Sequence, residues 1–584
     1  MPFRAHGLFA LALALAAGAA RAEDPPAPPS SSPDSVRSLA DEIVAADNAS
    51  KRTIARSEEA ALRLYLLRRY PAKIEHAVAS ATTITVTGTA RRRGDWFLAE
   101  WPVWEPAVVG MHFSTTWPLH GSRFTVTVPR FAEDGRDRLL SRFAVIRRRE
   151  AGDLLASFAH WTDVFPAATT LANVMPRNKK GLAGFVGDPL QIRDVDEFGV
   201  GSVTVNLFLS TLFQNDPAPG AEPVTAAGHT WYLRPEAWKS LDATLLAAAE
   251  RHLVVLGIIL LPPATQWGAP DLGALLQHPN YEREGIYSMP NLTTPESTAA
   301  YVMVLDVLAK RYARADGRYG RIHRWIVHNE VDAGGLWTNA GWLPELAYLD
   351  QYYRSMRLTD LVVRRQDPSA EVLISLTHNW ASAESRRFPP RALLEDLIGL
   401  SRAEGDFPWG VAYHAYPSLH GELPWSDSRS KFTFDTPRIT FRNIEVLDAW
   451  MRRRAALYDG RTVRDVYLSE LGANSSDYGA AALAEQAAAV AYVWKKIAPL
   501  STILGFDYHN WRDNRGEGGL RIGLRRFPDD PEDPSGAKPA WYVYRALGTP
   551  DEDRATAFAL PIIGAKSWSA ALRRPAITKA SSKP

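Results

Sequence analysis

The 584-residue chain contains no cysteine, so disulfide bonds and thiolate metal centres are both excluded. If the protein is exported, core packing alone must hold it together. Long hydrophobic runs are missing as well. No stretch of about 20 apolar residues occurs, so no membrane span is expected. Nor is there an excess of charge of one sign: 67 Lys and Arg against 65 Asp and Glu leave a formal net charge of +2. Beyond short arginine clusters such as 91–93 there is no basic block, and a nucleic-acid partner is not indicated. No repeat of solenoid period is visible.

What is present is abundant apolar material. With 46% hydrophobic residues and 19 Trp, 20 Tyr and 21 Phe, the chain can build a large core, and its length exceeds that of one ordinary domain. The N-terminus combines Arg4, an apolar run over 8–17 and the Ala20-Arg21-Ala22 stretch before Glu23. That is the pattern of a secretory signal peptide, expected over 1–22, and it predicts a periplasmic or secreted protein. Residues 23–35, EDPPAPPSSSPDS, read as a Pro/Ser-rich linker.

Residues 36–170 read as an accessory region. Leu39, Ile43, Val44, Leu62, Leu64 and Leu66 are spaced for amphipathic helices up to about residue 70. Between 82 and 147, the alternating segments TTITVTG, DWFLAEWPVW, RFTVTVP and RFAVIRR predict a small β-sandwich. From 171 to 555 the texture changes to strand then helix, eight times over: GLAGFV, SVTVNLF, LVVLGIILL, HRWIVHN, EVLISLT, GVAYHAY, DVYLSEL and TILGFDYHN are the strands. Thr294 as cap and Pro295 at the first helical position start the clearest helix, with Tyr301, Leu305, Leu308 and Tyr312 on one face. Eight such units predict an α/β (β/α)8 TIM barrel, with an open doubly wound sheet as the alternative. Residues 556–584 are left as a C-terminal tail.

Barrels place chemistry at the carboxyl ends of their strands. Here those ends carry His328, Asn329 and Glu330 on the fourth, His378, Asn379 and Trp380 on the fifth, His414 and Tyr416 on the sixth, Ser469 and Glu470 on the seventh, and His509, Asn510 and Trp511 on the eighth. Cleaving a glycosidic bond with retention needs two carboxyl groups about 5–5.5 Å apart, one to protonate the leaving group and one to attack. Strands four and seven face each other across an eight-stranded barrel, so Glu330 and Glu470 qualify. The attacking carboxylate needs hydrogen-bond donors to stay ionised, and Tyr416 is the candidate donor to Glu470.

WIVHNE at the end of strand four and VYLSELG at the end of strand seven resemble the paired signatures of the clan GH-A retaining glycoside hydrolases, over about residues 180–550. The resemblance implies that Glu330 is the acid/base, Glu470 the nucleophile and Asn329 a ligand of the sugar 2-hydroxyl. It further implies that His414 and Tyr416 lie beside the nucleophile, and that Trp511 lies under the sugar. The arginine frequent at the clan's second strand is missing, and Asn206 stands in that stretch instead. His378, Asn379, Trp380 and Trp337 are further candidates for substrate contact, the tryptophans because indole stacks on the C–H face of a pyranose. The loops VDAGGLWTNAGW (331–342) and 418–438 are expected to wall the cleft. The expected substrate is a polysaccharide or oligosaccharide, with no cofactor and no metal.

Two other readings fit some of these residues. His328, His378, His414 and His509 at four strand ends suggest a metal-dependent amidohydrolase-type barrel, although neither an H-x-H pair on the first strand nor an H-E-x-x-H motif is present. A carbohydrate-binding barrel that has lost catalysis is the other, which intact glutamates at both positions argue against.

Overall fold

The computed structural model describes residues 33–91, 95–107, 111–150, 152–382, 387–419 and 422–578, with 33–48 as backbone only. The expected leader at 1–22 and most of the 23–35 linker lie outside these residues, as do positions 92 and 93 of the arginine cluster and 579–584 of the tail.

Eight parallel strands close into a barrel: β1 (Lys180–Leu182), β2 (Ser202–Phe208), β3 (Val254–Leu260), β4 (Arg324–Val327), β5 (Glu371–Leu376), β6 (Trp409–Tyr413), β7 (Val466–Leu471) and β8 (Ile503–Tyr508). Each falls on one of the eight segments read from the sequence, and chain order is the order round the barrel. All seven residues of β3 are buried, as a parallel strand covered on both faces requires. Val254, Leu256, Ile258, Ile326, Leu373, Ala412 and Tyr467 pack together in the interior, while alternate residues meet the outer helices: α1 (Pro189–Phe198), α2 (Pro235–Ala249), α3 (Pro295–Tyr312), α4 (Glu345–Gln366), α5 (Pro390–Ala403), α6 (Glu445–Met451), α7 (Ala480–Ile497) and α8 (Pro539–Ala546). Helix α3 starts as its sequence predicts. The Thr294 hydroxyl accepts from the Ser297 N–H at 3.1 Å, Pro295 opens the first turn, and Tyr301, Leu305, Leu308 and Tyr312 are all buried.

A hydrogen-bonded polar pair sits deep in this interior. Asp507 of β8 accepts from the Ser202 hydroxyl of β2 at 2.5 Å, and Gly181 of β1 lies so close that a Cβ there would overlap the carboxyl. Burial pushes the Asp507 carboxyl up to about 7, the Ser202 hydrogen bond pulling weakly the other way. A carboxyl raised in the folded state binds its proton more tightly there than in the unfolded chain. Its contribution to stability is therefore full below the ordinary aspartate range and is lost as pH rises through about 7. The Asp507→Asn variant is expected to lose this dependence: its melting temperature, followed from pH 4 to 8, falls less steeply than that of the parent, by an amount worth on the order of a few kcal/mol.

Ahead of the barrel, one long helix (Pro33–Leu67) stands where several were expected. It is followed by a three-stranded antiparallel sheet (73–79, 83–89, 123–129) and a five-stranded one built on 96–101 and 142–147. This β-rich region is fastened to one flank of the barrel. Glu59 accepts from the Ala347 N–H at the start of α4 (2.9 Å), Arg365 of α4 donates to Asp137 (3.1 Å), and Tyr65 and Trp161 both donate to the buried Glu404 just past α5 (2.8 and 3.0 Å). The tail crosses back over the barrel, where Thr578 pairs with Thr433 in the loop after β6. No helix among the described residues is long and apolar enough to cross a membrane.

Candidate active site

Two local departures from regular strand geometry aim the glutamates. On β4, alternation from the interior Ile326 would send His328 inward. Instead, His328 and Glu330 take φ values of +63° and +39°, a left-handed conformation that costs a non-glycine residue about 1–3 kcal/mol. The His328 ring turns outward between Tyr301 and Tyr352, its Nε2 2.9 Å from Ser355 Oγ of α4, and Glu330 enters the mouth. The turn is pinned by three hydrogen bonds: Glu330 N to Ser375 Oγ (2.9 Å), Ala333 N to Glu330 O (2.8 Å) and Thr338 Oγ1 to Asn329 O (2.7 Å). On β7, the register against β8 slips between Leu468 and Leu471. Tyr467 faces the interior, so alternation alone would present Ser469. The inserted residue re-aims the strand so that Glu470 faces the mouth, a common use of a bulge beside a functional site.

The two carboxylates meet at one imidazole. His414 Nδ1 lies 2.9 Å from Glu330 Oε1 and 3.9 Å from Glu470 Oε2. The two nearer oxygens are therefore at most about 7 Å apart, a ceiling that admits a retaining pair and leaves out most of the range of inverting ones. Both remain reachable from the mouth, with 14% and 24% of their side-chain surface exposed. Tyr416 donates its hydroxyl to Glu470 Oε1 at 2.9 Å, and Ser375 Oγ lies 3.3 Å from His414 Nε2.

Burial alone would raise the Glu470 carboxyl, but the charges of His509 and His414 and the Tyr416 hydrogen bond outweigh it and hold Glu470 below the usual carboxylate range. For the histidines the balance runs the other way. Burial opposes the imidazolium, yet Glu470 and Glu330 raise His414, and Glu470 and Glu517 raise His509 to about 9. Asp332, two residues beyond Glu330, is pushed up to about 7 by burial and by the charge of Glu330. Its two oxygens are taken by the N–H and hydroxyl of Thr377, at 2.7 and 2.5 Å.

The remaining sequence candidates divide. Asn329 lies between the two left-handed residues, and its Oδ1 is buried with no hydrogen-bond partner in the protein. Trp337 is half-buried beside Tyr287, ring centroids 5.8 Å apart, and Tyr287 adjoins Phe208 of β2 (6.5 Å). Asn206 lies on β2 opposite Ile258. The structure does not bring the others to the glutamates as stacking surfaces. Trp511 is buried, its indole N–H donating to Asp194 (2.6 Å). Trp380 is wholly buried against Trp450 and Tyr413. Asn379, also buried, pairs by its backbone with Arg438, and the His378 carbonyl accepts from Ile439 N. With His328 turned outward, the four strand-end histidines do not converge, and among the described residues no group of His, Asp and Glu is arranged to hold a metal.

Five groups of the site carried little or no signal in the sequence. Tyr287, Ser375 and Asp332 lie in no periodic pattern that points to the mouth. Glu517 lies in the glycine-rich segment NRGEGG, which reads as a loop. His509 stood out only as one of four strand-end histidines.

The model of a family of unknown function, DUF5722, matches residues 173–571. No curated protein matches the chain. Among solved structures, the chain is similar to a family 39 glycoside hydrolase from the gut symbiont Bacteroides cellulosilyticus WH2, at 13% identity over 82% of this chain and 83% of that one, with a TM-score of 0.41. It is also similar to the β-glycosidase of the hyperthermophile Thermosphaera aggregans (14% identity, 66% and 99% covered, TM-score 0.40) and to a family 1 β-glucosidase from Thermotoga maritima (12%, 66% and 99%, 0.40).

Proposed function

We propose that this chain, which belongs to the DUF5722 family of unknown function, is an exported retaining glycoside hydrolase acting on a polysaccharide or oligosaccharide. The observation that carries the reading is the pair of glutamates from the fourth and seventh strands meeting on His414 Nδ1, one of them kept ionised. In the first step a Glu470 oxygen attacks the anomeric carbon and the glycosidic C–O bond breaks, while Glu330 gives its proton to the departing oxygen. In the second, Glu330 takes a proton from water, and the resulting hydroxide equivalent displaces Glu470 from the anomeric carbon. Proton and carboxylate are both restored.

The flanking residues fit this sequence of charges. Glu470 begins as an anion, and Tyr416, His414 and His509 supply the donors and positive charge that keep it one. Asn329 offers an unpaired buried oxygen beside the acid, suited to a sugar hydroxyl. Trp337 and Tyr287 offer aromatic surface suited to a pyranose face. The basic start, short apolar run and Ala20-Arg21-Ala22 site support export to the periplasm or beyond.

The test is a panel of polysaccharides and aryl glycosides, scored for released reducing ends. Hydrolysis of at least one member is expected, with the first-formed product carrying the anomeric configuration of the substrate by proton NMR. Inverted product, or activity that disappears with a chelator, would remove the reading.

A further inference from the structure

Beyond β8 the chain makes a tight loop, with Gly518 and Gly519 both at positive φ (+67° and +76°). Glu517, just before them, is turned back onto the strand end. Its Oε1 accepts from Asn510 Nδ2 (3.0 Å) and Asn514 Nδ2 (3.2 Å), and its Oε2 lies 3.3 Å from His509 Nε2. Three partners thus fix the carboxylate against the imidazole. On its other side, His509 meets the edge of Tyr416 (centroids 6.3 Å apart), whose hydroxyl is on Glu470. Nothing in the two-glutamate reaction uses Glu517.

Resting on the retaining-hydrolase reading, we infer that Glu517 is a positioning residue which keeps His509 oriented and protonated beside Glu470 through both half-reactions. The need for it follows from how charge changes during turnover. The groups acting on His509 are Glu470 on β7, Glu517 on the loop after β8 and, more weakly, Glu330 on β4, with Tyr416 on β6 as a neutral neighbour. When Glu470 becomes a glycosyl ester its charge disappears, and the strongest support of the imidazolium goes with it. Glu517 is outside the reaction and keeps its place. His509 therefore remains a cation facing the ester, so that Glu470 departs in the second step into an environment that already favours its anion. Without Glu517, the proton on His509 is expected to leave when the ester forms, and deglycosylation slows.

The experiment uses the full chain and reads two independent signals. The first is the NMR titration of the His509 Cε1–H resonance, assigned by its absence in His509→Asn. In the parent its midpoint is expected near 9, and in Glu517→Gln, which keeps size and hydrogen-bonding capacity, at least about one unit lower; Glu517→Asp should restore part of the shift. The second is turnover of an aryl glycoside. Glu517→Gln is expected to lower kcat by about tenfold or more, to lower KM along with it as glycosyl-enzyme builds up before the steady state, and to leave kcat/KM nearly unchanged. An unchanged His509 midpoint overturns the inference. So does a rise in KM alone, which would make Glu517 a substrate contact. A shifted midpoint in a protein that hydrolyses no glycoside would instead leave the Glu517–His509 link standing and remove the hydrolase reading.

Discussion

Glu470→Ala is expected to lose essentially all turnover, with kcat down by about 10⁴-fold or more, because the bond to the anomeric carbon has no other nucleophile to form it. The expected rescue is more diagnostic than the loss. Removing the carboxylate leaves a space on the face from which it attacked, and azide can enter there. The product should be a glycosyl azide of inverted configuration, since one displacement has replaced two. His414 and His509, which hold Glu470 ionised in the parent, would be left facing the incoming anion and should favour its binding. A merely unfolded variant would show neither azide dependence nor a single stereochemical product. Near-normal activity of Glu470→Ala on a glycan would end the assignment.

The architecture was legible because it is periodic. A strand buried on both faces, like VVLGIIL of β3, or a helix with Thr-Pro at its start and a stripe of Tyr and Leu, like α3, carries its signal in spacing, and eight alternations leave few ways to close. The two glutamates were legible for a related reason, since the ordinal number of a strand fixes its place in the ring. Less legible was how a strand ends. Alternation sends His328 and Ser469 inward, but a left-handed turn on β4 sends His328 out while Glu330 enters the mouth, and an inserted residue on β7 presents Glu470 in place of Ser469. The same blindness explains Trp511 and Trp380. An aromatic side chain at a strand end looks alike in sequence whether it faces the mouth or the helices, and here Asp194 and Trp450 hold the two rings in the packed layer. Glu517 and Asp332 lay further out of reach, because the loops that return them to the site are set by tertiary contacts and not by any local period.

Glu330→Ala separates acid/base catalysis from every other function of the site. Two carboxyl groups lie close together here, and Asp332, raised to about 7 by burial and by the charge of Glu330, could be taken for the acid. Geometry decides against it. Asp332 is completely buried, both of its oxygens are occupied by Thr377, and neither can touch a glycosidic oxygen, whereas Glu330 is partly exposed in the mouth. A catalytic acid must first be within hydrogen-bond reach of the atom it protonates. Glu330→Ala is therefore expected to cost about 10²- to 10⁴-fold on a natural glycan, whose leaving oxygen needs the proton. It should cost little in the first step with a dinitrophenyl glycoside, whose leaving group departs as an anion. The steep dependence on leaving-group pKa that results should be absent from Asp332→Asn, whose defect should fall on thermal stability and on all substrates alike. Azide added to Glu330→Ala should accelerate the second step and yield a glycosyl azide of retained configuration, opposite to that from Glu470→Ala. Equal losses on good and poor leaving groups would take the proton donor's role away from Glu330, and a leaving-group dependence transferred to Asp332→Asn would give it to the buried carboxyl.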